Sequence, residues 1–266
     1  MSTAMPFDED VTHRLVEMYT TAEVVAQRDV TLQVLNPQPG ERVLDIGSGP
    51  GFLAAAIAGR VGQAGAVSGI DLSESMIAYA GRLTRAPGAA PMTFALGDAT
   101  ALDFPDESFD AVVSTQVYEY VPDVDTALAE VCRVLVAGGR ALVLDTDWDS
   151  VVWHTSDRDR HARVMSAWQE HLADPWLPRT LTGRLESAGL TVERQDVLVL
   201  FNPAFAPGTF SAAVMQLIAS FVPGRRGVTA QEAAAWLADL QDLGARKEYF
   251  FSINRYLFLA HRADPS

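Results

Sequence analysis

Between Val43 and Phe52 the chain reads VLDIGSGPGF: an apolar run, an acid at Asp45, then Gly47, Gly49 and Gly51 before a helical pattern. Glycines at a strand-to-helix turn let the backbone adopt positive φ and approach a ligand closely. The spacing is not that of a dinucleotide fingerprint, because the third glycine of G-x-G-x-x-G would fall on Phe52. Nor does the loop end in the Gly-Lys-Ser/Thr of a phosphate loop, so a diphosphate cradle is disfavoured. Polar residues also close the following apolar runs: Asp71 in VSGIDLS, Asp98 beside Ala99 in LGDAT, and Gln116 in VVSTQ. A carboxylate closing the second strand can accept from both hydroxyls of an adenosine ribose, and one closing the third can accept from the adenine amino group. Singly, such acids could simply cap the helices that follow. The ordered set points to a ligand site on one rim of a sheet.

A second concentration of chemistry lies in ALVLDTDWDSVVWH, residues 141–154. Asp145, Asp147 and Asp149 fall within five residues around Trp148, and burying like charges so close together is costly unless something uses them. Asp145 is expected to fix the turn, and Asp149 or Ser150 to cap a short helix. Asp147 and His154 are the candidates for contact with a second reactant, orienting a hydroxyl or amine or taking its proton, with Trp148 as an apolar wall. The competing expectation is a solvated loop.

The elements that must position these residues alternate. ERVLDIG, AVSGID, MTFALGD, SFDAVVSTQ and GRALVLDTD read as strands, with FLAAAIAGRV, SESMIAYAGRL and DVDTALAEVCRVLVAGG as helices between them. The strands are continuous apolar runs, as a parallel sheet covered on both faces requires. Residues 8–35 read as one helical segment stopped at Asn36. After Ser150 come helical patterns over 157–173 and LPRTLTGRLESAGL, a strand in TVERQDVLVLF, two helices within 207–243, and a long last strand in KEYFFSINRYLFLAHR. The two late strands suggest an antiparallel edge hairpin.

The set VLDIGSGPG, GIDLS, GDAT, FDAVVSTQVYEYVPD and RVLVAGGRALVLD, spanning about residues 37–147, resembles the class I S-adenosylmethionine-dependent methyltransferases, more narrowly the methyltransferase type 11 group that includes ubiquinone and menaquinone biosynthesis methyltransferases. The resemblance implies an α/β, Rossmann-like doubly wound sheet of seven strands in the order 3-2-1-4-5-7-6, with strand 7 antiparallel and helical cap insertions. It implies S-adenosyl-L-methionine as cofactor and S-adenosyl-L-homocysteine as product. Gly47, Gly49 and Gly51 would approach the methionine part, Asp71 the ribose hydroxyls, Asp98 and Ala99 the adenine, and Gln116 the methionine end. Asp45, Ser48, Leu72 and Met76 join this set, and Tyr19 and Arg28 would close over the cofactor, Arg28 pairing with its carboxylate.

On this basis the chain is expected to be a single methyltransferase domain: an N-terminal helical cap at 1–35, a cofactor-binding core at 37–147, and cap or acceptor-pocket insertions at 150–180 and 207–243. Its expected reaction is methyl transfer by in-line displacement to a small, partly apolar acceptor; the alternative is a regulatory or assembly protein that binds the cofactor without turnover. Some quinone O-methyltransferases hold a divalent metal through E-x-x-E-H after strand four. Here that stretch is Gln116-Val117-Tyr118-Glu119-Tyr120, so no metal is expected. A net charge of −14 and pI near 4.7 disfavour nucleic acid as partner. One cysteine, Cys132, excludes an intrachain disulfide. No apolar run approaches the roughly 20 residues that span a bilayer, and the N-terminus lacks signal-peptide character, so a soluble, cytoplasmic protein is expected.

Overall fold

The computed structural model describes residues 9–263. Two helices lead, α1 (Glu9–Tyr19) and α2 (Ala22–Leu35), where the sequence pattern suggests one. The break is local chemistry: the Thr20 and Thr21 hydroxyls donate to the carbonyls of Glu17 and Met18, and Thr21 turns extended, an alternative to continuing the helix that Thr side chains offer. Asn36 then ends α2 in the left-handed region, its N–H on the Leu32 carbonyl.

The alternating core follows as β1 (Arg42–Ile46), α3 (Phe52–Val61), β2 (Ala66–Asp71), α4 (Glu74–Ala80), β3 (Met92–Leu96), β4 (Phe109–Thr115), α5 (Val124–Val134) and β5 (Leu135–Thr146). After a 3-10 turn at Trp148–Ser150 come β6 (Val152–Trp153), α6 (Arg158–Trp168), α7 (Leu181–Ser187), β7 (Leu190–Asn202), α8 (Phe210–Phe221), α9 (Ala230–Ala245) and β8 (Phe251–Arg262). Side-chain caps mark the starts: Ser73 for α4, Asp123 for α5, and a Thr229–Glu232 capping box for α9.

The sheet runs β3-β2-β1-β4-β5-β8, with β7 along the far edge of β8. The first five strands pair in parallel, and β8 is antiparallel to its neighbours. The seven long strands thus have the expected order 3-2-1-4-5-7-6, a Rossmann-like doubly wound sheet. One correction is the strand count, which is eight: past the 3-10 turn, Val152 and Trp153 return to β8 opposite Ser252 and Phe251. Register aligns the carboxyl ends. Ile46 lies beside Ile70 and Ser114, Thr115 beside Leu144, and Thr146 opposite Arg255.

Three apolar clusters hold these layers. One face packs α2 and α3 on Val43, Val113, Leu142 and Leu257, and the other packs α5 and α7 on Leu44, Val112, Val143 and Phe258. Cys132 is half-buried against the second. The third cluster joins α6, α8 and α9 to Trp148, Trp153 and Phe251. Trp148, Trp153, Trp168, Phe210, Met215 and Phe221 are all buried in this third cluster. Among the described residues no helix is long and apolar enough to cross a membrane.

Candidate active site

The glycine loop leaves β1 and is tied to the neighbouring strand. The Ser48 N–H donates to the Ile70 carbonyl at 2.8 Å, and the Gly51 N–H to the Ser48 carbonyl at 2.9 Å. Gly47 and Gly49 have φ of +65° and +52°, the left-handed region that other residues adopt at a cost. A Cβ at Gly47 would stand 2.2 Å from Val117 Cγ2, whereas at Gly49 it would meet only Tyr19 Cε2, at 3.8 Å. Gly47 is therefore demanded by packing, and Gly49 keeps a wall thin.

Asp71, at the end of β2, accepts from the Gly49 N–H at 2.9 Å and the Ser73 N–H at 2.8 Å. Burial pushes its carboxyl above the usual range, against these two backbone donors. Behind the loop, Asp45 is fully buried. Desolvation, with the charge of Asp71, drives its carboxyl up to about 8 despite a hydrogen bond from the Ala54 backbone.

Loop, α2 and the ends of β4 and β8 border a half-open cavity of about 60 Å³ lined by Tyr19, Gln27, Arg28, Ser48, Gly49, Gln116 and Arg255 among others. Tyr19 of α1 and Val24, Gln27, Arg28 and Thr31 of α2 form its outer wall. Desolvation, aided by the charge of Asp71, lifts the Tyr19 phenol to about 12. Arg28 donates to the Tyr19 carbonyl at 2.7 Å and lies 5.1 Å from the centre of the Phe52 ring. Gln116 holds a left-handed φ of +59°, and its side-chain oxygen accepts from the Thr146 hydroxyl at 2.6 Å. Such strain in a non-glycine residue is typical of functional sites.

The other expected contacts fall outside the cavity wall. Leu72 is three-quarters exposed beyond Asp71. Met76 is buried in the third apolar cluster, with Leu15 and Met18 of α1. Asp98 is exposed and accepts from the Thr100 N–H and hydroxyl, while Ala99 is buried in the second cluster.

Asp147 and His154, expected at the acceptor, do not line this cavity. The Asp147 carboxylate is held by Arg179 through Nε at 2.8 Å and a second nitrogen at 2.9 Å, and it also caps the 3-10 turn through the Asp149 N–H. Arg179 reaches Asp149 at 3.0 Å as well. His154 is exposed at the end of β6, its N–H on the Phe250 carbonyl. The three carboxylates are thus not a solvated loop: two share one arginine, and Asp145 takes the Val117 N–H at 3.0 Å.

Sequence reasoning missed Gln27, Thr31 and Arg255. The signal was present. Gln27 and Thr31 are polar positions on the buried side of α2, and in FSINRYL the arginine occupies an alternate site between Phe251, Ile253 and Leu257.

The cradle suits S-adenosylmethionine on its own features: a glycine that keeps space beside the loop, a buried Ser48 hydroxyl with no described partner, and a carboxylate at the adjacent strand end. Comparison with known proteins agrees. A family model described as a methyltransferase domain matches residues 44–143. The chain is 32% identical over 168 residues to the aklanonic acid methyltransferase DauC of Streptomyces sp. (strain C5), covering 63% of this chain and 75% of that protein. It is 41% identical over 109 residues to a 2-phytyl-1,4-naphtoquinone methyltransferase of Synechococcus elongatus, covering 41% of this chain and 47% of that protein. Against several such relatives the chain thus spans about half of their length. In fold it is similar to the Haemonchus contortus phosphoethanolamine N-methyltransferase 2 solved with S-adenosyl-L-methionine, with TM-score 0.61 and 20% identity over 97% of this chain and 58% of that one. The chain belongs to the methyltransferase-domain family, the class I S-adenosylmethionine-dependent methyltransferases.

Proposed function

We propose that the protein transfers a methyl group from S-adenosylmethionine to a small, partly apolar acceptor and releases S-adenosylhomocysteine. The observation that carries this is the bridge from the Gly49 N–H to the Asp71 carboxylate, which joins a glycine loop to the next strand end beside a half-open cavity. When bound, the cofactor supplies a methyl group already activated on a sulfonium. Asp71 would accept from the ribose hydroxyls, Asp98 would face the adenine, and Arg28 would pair with the carboxylate. The chain's remaining task is to align the acceptor and exclude water. Tyr19 and the rest of α1–α2 supply the outer wall.

Among the described residues lining the cavity, the titratable ones are Tyr19, Arg28 and Arg255. None is a base near neutral pH, so the walls favour an acceptor that needs no proton removed by the protein. The naphthoquinone methyltransferase among the relatives supports a flat, oxygen-bearing acceptor. The test is S-adenosylhomocysteine release on incubation with a panel of small phenols and quinols, alongside calorimetry. Asp71→Ala should weaken S-adenosylhomocysteine binding by about 1.5–3 kcal/mol, the scale of hydrogen bonds to a charged group. Binding without release for every acceptor would favour a non-catalytic role; unchanged affinity in Asp71→Ala would remove the ribose assignment.

A further inference from the structure

The cavity wall contains a buried cation that the cofactor reading leaves unused. Arg255 lies on β8 opposite Thr146 of β5 and is 5% exposed. One terminal nitrogen donates to the Gln27 side-chain oxygen, the guanidinium stands 4.9 Å from the centre of the Phe210 ring, and Nε has no partner among the described residues. Burying a guanidinium with an open donor is costly, and here the open donor belongs to a cavity-lining residue. No described carboxylate pairs with it directly. Glu119, Asp145, Tyr19 and Tyr120 face it through space.

Position in the sheet separates this group from Arg28. Arg28 stands by Phe52 and Tyr19, where the glycine loop enters α3. Arg255 lies two strands beyond β4, on the side away from Asp71 and Asp98. A cofactor laid along the ends of β2, β1 and β4 leaves that end of the cavity to the acceptor.

We propose that Arg255, oriented by Gln27, is the acceptor-recognition residue and binds the ionised oxygen of a phenol or enol. This deepens the methyl-transfer reading and rests on it. A planar guanidinium offers directed N–H donors to an oxyanion, and a neighbouring cation favours the ionised form of an acidic group. The acceptor's proton is then left to solvent before transfer, which accounts for cavity walls without a base. The electron pair of the oxygen, or of its conjugated carbon, forms the new bond to the methyl carbon. The sulfur–methyl bond breaks, and its electron pair stays on sulfur as a neutral thioether.

The test uses full-length protein loaded with S-adenosylhomocysteine and titrated with 4-nitrophenol, whose ionised form is read by its visible absorbance, with nitrobenzene as the neutral control. The wild type should bind the phenolate in preference to nitrobenzene and lower the apparent pKa of the bound phenol by about one unit. Arg255→Met should lose roughly tenfold or more in phenolate affinity and keep its S-adenosylhomocysteine affinity. No preference for the phenolate in the wild type overturns the proposal alone, whereas failure of the wild type to bind S-adenosylhomocysteine overturns the reading beneath it. If Arg255→Met loses S-adenosylhomocysteine affinity but not 5′-methylthioadenosine affinity, the guanidinium serves the cofactor's carboxylate, and the proposal falls. Should that variant melt early, Gln27→Met decides: it keeps the charge and removes the group that aims it. Severalfold weaker phenolate binding is expected, and an unchanged value refutes the assignment.

Discussion

Alanine at Gly47 and alanine at Gly49 should fail in different ways, although the two sites lie two residues apart in one loop. Both put a side chain at positive φ, which costs about 1–2 kcal/mol. At Gly47 the added methyl also meets Val117 Cγ2 at 2.2 Å, so Val117 must move, an overpacking cost of about 1–3 kcal/mol. The sum is about 2–5 kcal/mol, a large share of a typical folding stability of about 5–15 kcal/mol. With about 2–4 °C per kcal/mol for a chain near this size, Gly47→Ala should melt about 4–20 °C below wild type. At Gly49 nothing clashes. The methyl points towards Tyr19, across the space the ligand needs, and the Gly49 N–H can still reach Asp71. Gly49→Ala should therefore melt only a few degrees low but bind S-adenosylhomocysteine roughly tenfold or more weakly, a loss of at least about 1.4 kcal/mol. Differential scanning fluorimetry and calorimetry on the same preparations separate the two quantities. A Gly49→Ala protein with wild-type affinity, or a Gly47→Ala protein with wild-type melting, would show that the loop geometry has been misassigned.

Two further outcomes follow from the buried and paired acids. Asp45 is held at about 8 when folded against about 3.9 unfolded, so between those values the native state keeps a proton that the unfolded chain has released. Stability must fall as pH rises through that window. Asp45→Asn should flatten the melting profile from about pH 4 to pH 8 and gain most at the upper end, by up to about 5 kcal/mol; identical profiles would mean Asp45 is ionised in the fold. Because Asp147 faces Arg179 and His154 faces solvent, Asp147→Asn and His154→Ala should retain S-adenosylhomocysteine affinity and turnover, and Arg179→Met should lower the melting temperature only. Lost turnover in either of the first two, with the protein folded, would return them to the reaction site.

Local pattern along the chain was enough to specify the elements. Apolar runs alternating with 3.6-residue periodicity gave the parallel core, and glycine, aspartate and glutamine at strand ends marked the rim, because these depend on neighbours within one element. The ends of α1 and α2 were harder to read, since the Thr20 and Thr21 hydroxyls compete with the helix in a way that apolar spacing does not register. Which side chains meet depends on how distant segments pack. Asp147 looked available for chemistry until the fold brought Arg179, from 32 residues away, onto both of its oxygens. Arg255 looked like one more charge in a final strand. Antiparallel pairing sets it opposite Thr146, and the period-two alternation of β8 turns it inward with Ile253 and Leu257. A one-residue change of register would have put that guanidinium on the opposite face of the sheet, leaving the cavity without its buried cation.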